Sequence, residues 1–120
     1  MLYAVLAYHE GGVVEAFTPQ QDAALMDELY KTHRKHETSG LLGPAARLGP
    51  TEGAVTLRGA GAGTVIDGPF AETKEHLLGL YLLNCADLDE AIAFARDLQA
   101  VNKTAVYEIR PVTNYLPGAP

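Results

Sequence analysis

A chain of 120 residues in which 48% are apolar has the size of one domain and enough apolar matter for a real core. Nine Lys and Arg against fifteen Asp and Glu give a net charge of −6, which argues against a nucleic-acid partner, because phosphate binding needs a basic face. Cys85 is the only cysteine, no apolar run nears the roughly 18 residues of a membrane span, and no basic leader opens the chain, so a cytoplasmic location without a membrane partner is expected.

Residues 2–9 read as a strand that ends at Glu10-Gly11-Gly12. Thr18-Pro19-Gln20-Gln21 then has the form of a helix start: Thr18 can cap, Pro19 suits the first helical position and Gln21 completes a capping box. Leu25, Met26, Leu29, Tyr30 and His33 recur on one face of that helix, and Gly40 stops it. Lys31, His33, Arg34, Lys35 and His36 cluster at its end, where cations complement the helix dipole. Residues 41–48 form an irregular strand around Gly43 and Pro44, and residues 54–58 alternate as a strand with one wet face. The run Gly59-Ala60-Gly61-Ala62-Gly63 is a turn into Thr64-Val65-Ile66. It is no dinucleotide fingerprint, since a strand and not a helix follows.

Residues 77–85 read as a further strand. Asp87 caps a second helix, with Glu90 closing the box and Leu88, Ala91, Ile92, Ala95 and Leu98 as its apolar face. Residues 105–112 are the last strand. Residues 1–113 make one domain and 114–120 a tail. The expected class is α+β, a ferredoxin-like βαββαβ order with an extra hairpin strand.

Between the Thr64 strand and the next lies the most specific stretch, Asp67-Gly68-Pro69-Phe70-Ala71-Glu72-Thr73-Lys74-Glu75. Asp67 can bond its own backbone, Gly68 tolerates positive φ and Pro69 fixes its φ, so a carboxylate is held at a strand end. Such a turn is also complete without any ligand. With Gly79-Leu80-Tyr81-Leu82-Leu83, Asp87-Leu88-Asp89-Glu90-Ala91, Glu108-Ile109-Arg110-Pro111-Val112 and the opening strand, this stretch resembles the DGPF group of the YCII-related proteins, small members of the dimeric α/β-barrel superfamily.

The resemblance implies a homodimer whose two sheets meet face to face around a cavity. The strand pattern independently asks for a second covered face. Leu2, Ala4, Leu6 and Tyr8 point one way and Tyr3, Val5 and Ala7 the other, and Leu80 and Leu82 oppose Tyr81 and Leu83, so both faces are apolar.

Asp67 and Lys74 are the leading candidate pair, a carboxylate and an ammonium able to shift each other's protonation and orient a polar substrate, or else a surface ion pair. Glu72 shares a side with Lys74 in an extended segment, and Phe70 is an aromatic anchor. His76 beside these acids is a candidate proton shuttle. Tyr8 and Tyr81 are candidate cavity residues with a polar tip, or plain core. His33, His36 and Glu37 have a helical spacing able to contribute metal ligands, yet lack the HExxH pattern, and no metal is expected. YCII-related proteins resemble one another in a His–Asp pair proposed for acid–base work, which makes His33 a catalytic candidate. The resemblance implies no agreed activity. It is compatible with a cofactor-free isomerase, lyase or dehalogenase acting on a small organic molecule. It is equally compatible with a non-catalytic small-molecule-binding or regulatory protein, an accessory to an extracytoplasmic-function sigma factor.

Overall fold

The computed structural model describes residues 1–11, 16–70 and 74–118. In chain order these form strand β1 (Leu2–Glu10), helix α1 (Pro19–Glu37), β2 (Leu42–Arg47), a single 3-10 turn (Thr51–Gly53), β3 (Val55–Arg58), β4 (Thr64–Asp67), β5 (Glu75–Asn84), helix α2 (Leu88–Val101) and β6 (Val106–Pro111). The main sheet has the order β2-β5-β1-β6, antiparallel at each pairing. This α+β arrangement is compatible with a ferredoxin-like fold. No helix among the described residues is long and apolar enough to cross a membrane.

The helix starts follow from local chemistry. Thr18 Oγ1 accepts from the Gln21 N–H at 3.1 Å and Gln21 Oε1 accepts from the Thr18 N–H at 2.9 Å, the expected box. At α2, Asp87 Oδ1 accepts from the Glu90 N–H at 3.0 Å, but the Glu90 carboxylate reaches the Ala86 N–H at 3.3 Å, one residue earlier than expected. The buried face of α2 also differs. It is Ala91, Phe94, Ala95 and Leu98, at the expected 3-4 spacing but turned toward Phe94, while Leu88 is 45% exposed. Phe94 is fully buried, with its ring edge-on to Tyr81 and His36 at centroid distances of 5.4 and 4.9 Å.

The core lies between the helices and one sheet face. Tyr3, Val5 and Ala7 of β1 continue to His9 on that face, joined by Leu83, Leu29 and Leu41. The other face of β1 carries Leu2, Ala4, Leu6 and Tyr8, and that of β5 carries Leu80 and Leu82, all half-buried in the single chain.

Two departures from sequence expectation shape the site. First, β5 carries a bulge: Ala7 faces Gly79, while Tyr8 faces Leu77, so Leu78 is the extra residue. Opposed residues share a face, so the bulge turns His76 onto the helix side, against His9. Beside the bulge, a Cβ on Gly79 would stand 2.5 Å from the Ala46 carbonyl oxygen, so glycine lets β2 approach β5 there. Second, the inserted segment is not one extra strand but a separate two-stranded sheet. β3 and β4 pair only with each other, Val55 opposite Asp67 through Arg58 opposite Thr64. The Asp-Gly turn closes on this hairpin: Gly68 has φ +106°, its N–H donates to the Ala54 carbonyl at 2.7 Å, and its own carbonyl accepts from Thr56 Oγ1 at 2.8 Å.

Candidate functional site

Helix α1 lays its apolar stripe across the sheet without closing on it fully. Leu25, Met26, Leu29, Tyr30 and His33 form one wall of a cavity of about 260 Å³, and Arg47, Leu78, Gly79, Tyr81, Asn102 and Tyr107 are among its other lining residues. The stripe is the one the helical spacing gives, and it carries His33 to the cavity wall. A cavity of this size suits one small organic molecule.

His33 is the polar feature of the α1 wall. Its Nε2 lies 2.9 Å from the Tyr81 hydroxyl, and its ring meets those of Tyr81 and Tyr30 edge-on at 5.2 and 5.8 Å. Burial lowers the His33 pKa. Glu37 works against that shift and His36 adds slightly to it. Burial, with Tyr107 nearby, pushes the Tyr81 pKa up to about 12. Near neutral pH the pair is therefore a neutral imidazole against a protonated phenol, a base with its hydrogen-bonding partner in place.

Arg47 is held at another edge of the cavity by Asp22, with Nη2–Oδ1 2.8 Å and Nη1–Oδ2 3.3 Å. Asn102 ends α2, its backbone N–H donating to Leu98 O at 2.8 Å. Burial raises the Tyr107 pKa, and a hydrogen bond from the Asn102 side chain opposes the rise. Behind Asn102 lies His9, 1% exposed, its Nε2 at 3.0 Å from Asn102 Oδ1 and 3.3 Å from Thr104 Oγ1.

Other candidates lie elsewhere. His36 points toward α2, with Nε2 2.9 Å from Asp97 Oδ2, so it diverges from His33. Burial alone would raise the Asp97 pKa, but hydrogen bonds from His36 and Lys35 outweigh it and lower the value. Among the described residues no group of three or more His, Cys, Asp or Glu is placed to hold a metal. Asp67 is exposed at the end of β4, and no hydrogen bond or ion pair joins it to Lys74 or to a histidine among the described residues. Lys74 instead lies 3.5 Å from Glu10 Oε1, both side chains largely in solvent. Phe70 is 70% exposed with the Arg58 guanidinium 4.6 Å over its ring. Glu72 lies outside the described residues. His76 faces His9 across the strands, its Nδ1 buried. Tyr8 donates to Glu108 Oε1 at 3.1 Å on the sheet face away from α1, so Tyr8 and Tyr81 do not share a cavity in one chain.

His9, Asn102, Tyr107 and Arg47 were not anticipated. The parity of Tyr3, Val5 and Ala7 already points His9 inward. Nothing local marks Asn102 or Tyr107.

A model of the YCII-related domain matches residues 1–115. The chain belongs to the YCII-related family. It is also 53% identical over 120 residues to an uncharacterized protein of Rhizobium meliloti (strain 1021), an alignment covering 98% of this chain and 97% of that one.

Proposed function

We propose that this YCII-related chain is an acid–base enzyme acting on a small organic molecule in the α1 cavity, and that it works as a dimeric α/β barrel in the cytoplasm. The observation that carries the reading is the His33–Tyr81 pair, 2.9 Å apart, set in a largely apolar cavity of about 260 Å³. His33 is the base through its Nδ1, while its Nε2–H donates to the Tyr81 hydroxyl oxygen and so holds the ring. The step balances without another reagent. His33 takes a proton from a C–H beside an electron-withdrawing group. The electron pair then either recaptures the proton at a different carbon, as in an isomerase, or expels a neighbouring anion to leave a C=C bond, as in a lyase or dehalogenase.

A second reading, a non-catalytic binding or regulatory protein, has one observation in its favour. The signature carboxylate Asp67 sits on the exposed hairpin and outside the cavity lining. Solvent-deuterium exchange separates the two. A panel of small ketones, lactones and aromatic acids is incubated in D2O with the protein and read by NMR. The enzyme reading expects exchange at one C–H of one compound, abolished by His33→Gln while binding persists. Binding without exchange in the wild type supports the second reading instead. Exchange that survives His33→Gln removes the role of His33.

The dimer rests on the uncovered sheet face. Leu2, Leu6, Leu80 and Leu82 share it, and an apolar face of this kind calls for a partner layer. Light scattering at micromolar concentration is expected to give twice the chain mass for the wild type and one chain mass for Leu80→Glu. A monomeric wild type overturns the pairing.

A further inference from the structure

Among the described residues His9 is the one polar side chain buried in the core, and its environment is asymmetric. Nε2 has two partners, Asn102 Oδ1 at 3.0 Å and Thr104 Oγ1 at 3.3 Å. Nδ1 is buried and has no hydrogen-bond partner among the described residues. A carboxamide oxygen only accepts, so the ring proton must sit on Nε2. That holds whether the imidazole is neutral or charged.

A buried polar atom left without a partner weakens a fold. An apolar residue would continue the series Tyr3, Val5, Ala7 without that cost. What His9 adds is control of Asn102. With its oxygen taken by His9, the Asn102 carboxamide has its N–H groups left for other partners. Both Asn102 and Tyr107 line the α1 cavity. The Tyr81 hydroxyl meets His33 Nε2, and Arg47 gives two of its five N–H groups to Asp22. Asn102 and Tyr107 add hydrogen-bond donors to the cavity beside those of Arg47 and Tyr30, while Leu25, Met26 and Leu29 supply an apolar wall.

We propose that His9 is a positioning residue that locks the Asn102 carboxamide with its N–H groups toward the cavity, selecting a small molecule with an apolar body and a terminal carbonyl or carboxylate. The inference rests on the reading of the α1 cavity as the ligand site. It also deepens it. Donors that polarise a carbonyl acidify the C–H beside it, which is the proton a neutral His33 would take.

The first test needs no variant. Long-range 15N–1H correlation of the histidine rings, at mildly alkaline pH, is expected to show His9 as the Nε2–H tautomer. The Nδ1–H tautomer overturns the proposal, because Asn102 would then present its oxygen to the cavity. The second test titrates benzoate and benzylamine, an acceptor and a donor on the same ring, and follows the ring signals of His33, Tyr81 and Tyr107. Benzoate is expected to bind and benzylamine not. His9→Phe is expected to weaken benzoate about tenfold, the effect of losing one oriented hydrogen bond. Should His9→Phe fail to fold, Asn102→Asp keeps the shape, removes the N–H donors and is expected to weaken benzoate at least as much. Unchanged benzoate affinity in the folded variants, or a wild-type preference for benzylamine, sinks the His9 inference alone. If neither probe moves the His33 and Tyr81 signals, the cavity reading fails and this inference fails with it.

Discussion

Removing the Tyr81 hydroxyl tests the centre of the site with little disturbance around it. Tyr81→Phe keeps the ring and thus its edge contacts with His33 at 5.2 Å and Phe94 at 5.4 Å. Only the 2.9 Å bond to His33 Nε2 is lost. A hydrogen bond of this kind contributes about 1 kcal/mol net, and a partner left dry raises the cost to about 3 kcal/mol. His33 is half-buried at a cavity wall, where water can reach Nε2, so the lower figure applies. Urea unfolding should show a midpoint decrease at unchanged slope, equivalent to about 1 kcal/mol. A double-mutant cycle with His33→Ala isolates the pair and should return a coupling of about 1 kcal/mol. Single costs that add to within about 0.3 kcal/mol would show that the two groups do not interact, and the proposed base would lose its support.

Three further outcomes follow from the same geometry. The His33 pKa is lowered by burial, so the unfolded chain binds more protons below its unperturbed value of 6.5. The contribution is therefore intact above 6.5 and lost as pH falls through that value toward the folded one, and His33→Gln should flatten this part of the stability profile; an identical profile would refute the shift. Phe94→Ala empties a fully buried ring site against Tyr81 and His36 and should cost about 3–5 kcal/mol in urea unfolding, whereas a loss below about 1 kcal/mol would contradict its place in the core. Asp67→Asn changes an exposed side chain on the hairpin and should move stability by no more than about 0.5 kcal/mol with benzoate binding unchanged; weakened binding would return Asp67 to the ligand site.

The local features were readable from single segments because their causes are local. The Thr18–Gln21 box, the Asp87 cap and the stripe through His33 each depend on residues within a few turns of one another. The Asp67-Gly68-Pro69 turn was equally plain, but where it would be carried was not. Whether a hairpin joins the main sheet or stands apart is decided by which edge accepts it, and β3 and β4 keep to each other. The apolar face of α2 includes Phe94 in place of Leu88 and Ile92, because spacing alone does not say that Phe94 is the residue that meets Tyr81.

The amino-acid order by itself determined the two helices, the strands and the family. Each follows from short-range periodicity, from capping or from a contiguous signature. Only the folded chain decided the composition of the site. His9 and Asn102 are 93 residues apart, and they meet because β1 lies beside β6 and α2 ends above that strand pair. One bulged residue, Leu78, reverses the alternation of β5 and carries His76 to the helix side, a change of face that no reading of strict period two can give.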